Sequence, residues 1–100
     1  MKLPHTSRLE IFILAALERK ERYGLEILDT IKKATQDEVV VPLGALYTVL
    51  ERMEEKDFVT TRWDESNGTH RRYYSATALG ERALAESRSV LLKTFRLATS

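Results

Sequence analysis

Leu43-Gly44-Ala45-Leu46-Tyr47-Thr48-Val49-Leu50-Glu51-Arg52-Met53-Glu54-Glu55-Lys56-Asp57, continuing as Phe58-Val59-Thr60-Thr61-Arg62-Trp63, changes its period part-way along. Leu43, Leu46, Leu50 and Met53 are three, four and three residues apart, so they form one apolar stripe of a helix. Ala45, Thr48, Arg52 and Glu55 fall on the opposite face. From Phe58 to Trp63 the residues become aromatic and β-branched, the composition of a strand. Asp64-Glu65-Ser66-Asn67-Gly68 is a turn whose Asn-Gly pair favours positive φ, and His70-Arg71-Arg72-Tyr73-Tyr74-Ser75 returns as a second strand.

Upstream, Pro42 stops regular pairing of the short run Val39-Val40-Val41 in the loop Gln36 to Val41. Before that loop, Leu25, Ile27, Leu28 and Ile31 recur at near-helical spacing and predict a helix to about Ala34, with Lys32 and Lys33 favoured by the dipole of its last turn. Tyr23-Gly24 opens it, and the glycine is expected to let the backbone turn. The first helix, about Arg8 to Lys20, starts at the capping box Ser7-Arg8-Leu9-Glu10. Its run Ile11-Phe12-Ile13-Leu14-Ala15-Ala16-Leu17 is apolar on nearly every face, so it is expected to be central or covered by a second subunit. Downstream, Thr77 is a candidate N-cap for a last helix from about Ala78 to Leu97. At ~1.5 Å per residue that helix spans roughly 30 Å, long for one small domain. Leu79, Leu84, Leu91 and Ala98, widened by Val90, Phe95 and Leu97, make its stripe.

Three helices, a hairpin and a long helix read as a mostly α chain with a small β-hairpin, an α+β winged helix-turn-helix with the hairpin as the wing. Residues 1–76 are expected to form the DNA-binding part and residues 77–100 a dimerisation helix, together one structural unit.

Specific residues carry a resemblance. Tyr23-Gly24 precedes the second helix, Gly44-Ala45-Leu46-Tyr47 opens the third, and Trp63, Gly68, Arg71-Arg72-Tyr73-Tyr74, Thr77 and Gly80 follow in order through the wing. Over roughly Leu9 to Leu84 the chain resembles the PadR family of bacterial transcriptional regulators. It departs at Thr48, where many relatives have Pro, at Ala45, where Ser or Thr is frequent, and at Thr69-His70, where Arg-Pro is common. The resemblance implies a cytoplasmic homodimer that binds double-stranded DNA at inverted repeats, usually as a repressor, and often answers to a small hydrophobic effector. It implies a dimer formed by the last helix with helix 1 of the other subunit, and two recognition helices about one DNA turn apart, roughly 34 Å.

The candidate DNA-binding residues are Tyr23, Gly44, Ala45, Tyr47, Thr48, Arg52, Thr69, His70, Arg71 and Arg72. Tyr47 reads either as a phosphate contact through its hydroxyl or as a half-buried core residue. Arg52 is suited to guanine edges, or else pairs with Glu51, Glu54 or Glu55. Arg71 and Arg72 alternate in the strand, so one of them leans to each face. Trp63 and Tyr73 are expected to pack the wing onto the core. Leu9, Phe12, Ile13, Ala16, Leu84, Val90, Leu91 and Phe95 are the candidate dimer interface, with Phe12, Leu91 and Phe95 a candidate effector pocket.

Composition bounds the alternatives. In 100 residues, 16 Lys+Arg stand against 15 Asp+Glu, and 43% of residues are hydrophobic. The net charge of +1 argues against a strongly basic nucleic-acid binder. By segment it hides a contrast, because Thr69–Ser75 holds two Arg, one His and no acid, while Val41–Thr60 holds two bases and four acids. Zero cysteines exclude disulfides, thiolate nucleophiles and cysteine-based zinc sites. His5 and His70 lack metal-ligand spacing, and no phosphate loop or serine elbow occurs, so neither an enzyme nor a cofactor is expected. No run approaches the ~20 apolar residues of a membrane span, and Met1-Lys2-Leu3-Pro4-His5 does not read as a signal peptide. Glu51, Glu54 and Glu55 keep one other class open, a winged-helix protein-interaction module without strong DNA binding.

Overall fold

A computed structural model describes residues 6–99. The Met1–His5 stretch, and with it the first histidine, lies outside them. The elements run α1 (Arg8–Ala16), β1 (Arg22–Tyr23), α2 (Gly24–Ala34), α3 (Leu43–Glu55), β2 (Val59–Asp64), β3 (Arg71–Ala76) and α4 (Ala78–Thr99), with one 3-10 turn at Ser66–Gly68. The architecture is α+β as expected, with one addition. The wing is a three-stranded antiparallel sheet in the order β1-β3-β2, because Arg22 and Tyr23 pair with Tyr74 and Tyr73. A two-residue strand has no period to read, so the sequence pattern showed only a hairpin.

Helix ends follow local chemistry. Ser7 and Glu10 form the capping box of α1 reciprocally, the Glu10 amide donating to Ser7 Oγ at 3.2 Å and the Ser7 amide to Glu10 Oε1 at 2.8 Å. The helix stops at Ala16 rather than near Lys20, and the Arg22 guanidinium donates to the freed Ala16 carbonyl at 2.7 Å. At the end of α3, Asp57 takes φ of 62°. The Asp57 amide then donates to Glu54 O and the Phe58 amide to Met53 O, the two bonds of a Schellman motif. Buried Phe58 and Met53 provide its hydrophobic contact. Asn67 and Gly68 both adopt positive φ at the wing turn.

The core joins α1, α2, α3, the sheet and the first turns of α4 through Ile13, Leu14, Leu17, Ile27, Leu46, Leu50, Met53, Phe58 and Tyr74. Leu43, expected in the α3 stripe, is exposed as the first residue of the helix. The chain itself covers only part of α1, since Ala15 is exposed and Ile11 and Phe12 are half-buried. Glu10 is the buried charge: burial alone would raise its carboxyl pKa, but the Lys56 ammonium 2.8 Å away and the Ser7 donors hold it below the usual range.

Helix 4 divides in two. Thr77 caps it, its Oγ1 accepting from the Gly80 amide at 3.0 Å, and Gly80, Ala83 and Leu84 are buried. From Arg88 to Thr99 every residue is exposed, so the second half projects from the domain, and the molecule extends 56 Å along its longest axis. Among the described residues no helix is long and apolar enough to cross a membrane, and no group of three His, Cys, Asp or Glu could hold a metal.

A methyl group on Gly80 would overlap the Phe58 carbonyl oxygen and lie 3.0 Å from Leu14 Cδ2. Backbone cannot swing aside, so Gly80→Ala is expected to destabilise the domain by about 2 kcal/mol or more. A thermal melt with an unchanged midpoint would contradict that.

Candidate nucleic-acid interface

The exposed face of α3 and the wing adjoin. Gly44, Ala45, Tyr47, Thr48 and Arg52 are all exposed on α3, opposite the buried stripe of Leu46, Leu50 and Met53. The Thr48 hydroxyl donates back to Gly44 O at 3.1 Å, leaving its oxygen lone pairs outward. Arg52 makes no ion pair with Glu51, Glu54 or Glu55 among the described residues. Of the two readings of Tyr47, neither is complete: the residue is 43% exposed, yet its ring lies over the start of α2. A Cβ on Gly24 would come 2.5 Å from the Tyr47 hydroxyl oxygen. That close approach is the role of Gly24, which has no positive φ and does not serve as a turn residue.

Strand alternation puts Arg71 and Arg72 on opposite faces of the sheet. Arg72 shares its face with Tyr74 and with the cross-strand residues Trp63 and Thr61. Its Nη2 donates to both carboxylate oxygens of Glu54, at 2.9 and 3.1 Å, and to Thr61 Oγ1 at 3.3 Å. Arg71 is exposed, with its guanidinium 4.5 Å from the centre of the Tyr23 ring. Tyr23 in turn meets Tyr73 edge-to-face at 5.6 Å, and Arg62 covers Tyr73 at 4.8 Å. Two further side chains of the wing have acidic partners. Arg62 is bidentate to Glu21, whose carboxyl is held below the usual range by that hydrogen bond, and His70 Nδ1 lies 3.0 Å from Glu65. Thr69 is half-buried, and its hydroxyl donates to Ser66 O at 2.7 Å inside the turn. Of the arginines on α3 and the wing, Arg52 and Arg71 have no acidic partner within 4 Å among the described residues, with Asp64 across the strand from Arg71.

Trp63 does not pack onto the core. It is 56% exposed and stacks on His70 with centroids 4.3 Å apart, forming a flat aromatic rim at the wing. Tyr23, Tyr47, Trp63, Arg71 and Arg72 line an open groove of about 500 Å³ between α3 and the wing. Sequence reasoning found most of these residues but missed Glu54 as a partner of Arg72. Their separation by eighteen positions carries no local signal.

The candidate dimer residues divide. Ile13, Ala16 and Leu84 are buried in the core of this chain. Leu9 and Phe12 are half-buried against that core, and Val90, Leu91 and Phe95 are exposed on the projecting half of α4. Phe12 lines a shallow groove with Arg8, Leu9 and Val39–Val41, while Leu91 and Phe95 lie exposed on the projecting half of α4.

A family model for the transcriptional regulator PadR-like family matches residues 13–86. The chain belongs to the PadR-like family of transcriptional regulators. This PadR-like chain is 35% identical over 79 residues to an uncharacterised protein of Lysinibacillus sphaericus, covering 78% of the chain and 72% of that relative. Its fold is similar to that of a PadR family transcription regulator from Clostridium difficile R20291, at TM-score 0.80 and 27% identity, over 93% of this chain and 96% of that one. It is also similar to Bacillus subtilis PadR, solved in complex with operator DNA, at TM-score 0.73 over 93% of this chain and 60% of that one. At 19% identity this last likeness is one of fold alone. Such membership is that of a regulator and not of an enzyme.

Because the Tyr47 hydroxyl lies over the position of an added methyl, Gly24→Ala is expected to swing the Tyr47 ring outward while the melting temperature changes by only a few degrees. Unchanged ring-proton shifts of Tyr47 in an NMR spectrum would disprove it.

Proposed function

We propose that this chain is a sequence-specific, DNA-binding transcriptional regulator that acts as a homodimeric repressor at an inverted-repeat operator. The observation that carries the reading is the outward face of α3, where Arg52, without an acidic partner among the described residues, stands with Thr48, Ala45 and Gly44, together with the exposed wing cation Arg71. That arrangement suits α3 for the major groove, with Arg52 on a base edge and Tyr47, Tyr23, Thr69, His70 and Arg71 along the backbone. A relative of the same fold, Bacillus subtilis PadR, was solved on operator DNA, which supports the assignment.

The second half of α4 supports the dimer. Val90, Leu91, Leu92, Phe95 and Leu97 are all more than two-fifths exposed on one short stretch of helix, an apolar surface suited to a second copy. Residues 77–100 would then dimerise against Leu9 and Phe12 of the partner, and residues 1–76 would read DNA. A small hydrophobic effector would enter the seam where Phe12 meets Leu91 and Phe95 across the dimer. This is a function of the cytoplasm, where the genome is accessible.

Selection of bound sequences from a random duplex pool tests the reading, and a palindromic consensus is the expected result. Binding is expected to weaken with salt, and Arg71→Ala to flatten the slope by about 0.9 log units per log unit of salt. No duplex binding even at low salt would support instead the interaction-module reading, in which exposed Glu51 and Glu55 face a protein partner. Leu91→Lys is expected to yield monomers by placing an unpaired charge in an apolar seam. Light scattering that still reports dimers refutes the α4 interface.

A further inference from the structure

We propose that Arg72 is not a phosphate contact but a positioning residue, which fixes the wing to the recognition helix through Glu54. This rests on the reading of α3 and the wing as the DNA-binding surface.

The Arg72 guanidinium is placed for holding rather than reaching. It lies against the rings of Trp63 and Tyr74, 5.9 and 5.5 Å from their centroids. One nitrogen, Nη2, serves both Glu54 oxygens and the Thr61 hydroxyl. Its Nε is buried and has no hydrogen-bond partner. A group oriented for a phosphate would present its fork outward, whereas this one gives up an N–H to keep the stem between two rings and the tip on α3. Glu54 stands in the last turn of α3, one residue from buried Met53, on a helix whose inner stripe packs in the core. The pair therefore connects β3 to the core-packed helix α3 through hydrogen bonds of 2.9 and 3.1 Å, which a tilt of the wing would lengthen.

Arg71, one residue earlier, is the contrast. It faces the other side of the sheet, touches an aromatic ring and has no acid within ion-pair distance among the described residues. Adjacent arginines in one strand thus have separate tasks, with Arg71 meeting the polyanion and Arg72 holding the angle at which it does so. The same pair explains one of the three acids at the end of α3. Glu54 neutralises the wing instead of repelling DNA, which leaves Glu51 and Glu55 as the solvated ones.

The two roles predict opposite signs. Removing an acid beside a DNA-binding surface strengthens binding if electrostatics is all that matters, and frees Arg72 for a phosphate. If Glu54 is the anchor of a brace, its loss weakens binding. The test uses the full chain and the best duplex from the random-pool selection, titrated over a range of salt, with melting curves to confirm that each variant is folded. Glu54→Ala is expected to lower affinity about tenfold with the salt slope unchanged. Glu54→Gln, which keeps an acceptor oxygen for Nη2, is expected to recover most of that loss. Arg72→Ala combined with Glu54→Ala should lose no more than Glu54→Ala alone, because the two groups act as one unit. Unchanged or tighter binding by Glu54→Ala, or a slope flattened by Arg72→Ala as much as by Arg71→Ala, would overturn the proposal. A wild-type chain that binds no duplex at low salt overturns the DNA-binding reading itself, so the two failures are separable.

Discussion

Phe58 joins the parts of this domain through its main chain as much as through its ring. Its amide closes α3 by donating to Met53 O at 2.8 Å, and its carbonyl accepts from the Thr77 amide at 3.0 Å. The Thr77 hydroxyl donates to the neighbouring Asp57 carbonyl at 2.6 Å, while Gly80 lets α4 pass directly over the Phe58 peptide. Its ring is fully buried beneath the Lys56 ammonium, which reaches Glu10 at the cap of α1. The end of α3 and the beginnings of β2, α4 and α1 therefore meet around one residue. A buried backbone polar group left without its partner would cost about 1–3 kcal/mol, so none of these elements can drift independently. In a dimer built on α4, this junction would set the spacing of the two α3 helices, since little flexible chain lies between them.

Electrostatics in the molecule is a matter of placement rather than total. A net charge of +1 would suggest weak attraction to a polyanion. Arg62, Arg72, Arg88 and Lys33 are occupied by Glu21, Glu54, Glu18 and Asp29, mostly as brackets between elements or along one helix. Pairing at such half-exposed sites contributes little to stability individually. Its effect is to orient: paired arginines hold the wing, while Arg52 and Arg71 remain outward. With two unpaired arginines on the α3 and wing face, tight binding would depend on shape and on two copies acting together.

Much of this was legible in local patterns. The α3 stripe from Leu46 to Met53, the Ser7 and Thr77 caps and the Asn67-Gly68 turn each depend on neighbours within a few positions, and each appears where its residues predict. What escaped the sequence lies between distant positions. Strand β1 is two residues long and gains its identity from Tyr73 and Tyr74. The Glu54–Arg72 pair and the seat of Tyr47 on Gly24 join segments remote in the chain, and the exposed stack of Trp63 on His70 forms across the wing turn. Apolar character also failed to separate the core from a free seam. Ile13 and Leu84 look like Leu91 and Phe95 in composition, and only packing distinguishes them.

The pairing of Tyr23 with Tyr73 has a consequence for the order in which the chain assembles. Strands β2 and β3 are separated by a tight turn, and they can zip together from neighbouring residues in microseconds. Strand β1 must instead close a loop of about fifty residues, which is entropically unfavourable until α2 and α3 already hold its ends near each other. The wing would therefore form early as a two-stranded hairpin and acquire its third strand late, on the helices. Maturation of the DNA-facing groove then reports completion of the helical core, so a partly folded chain would carry the wing without yet having the surface that Tyr23 completes.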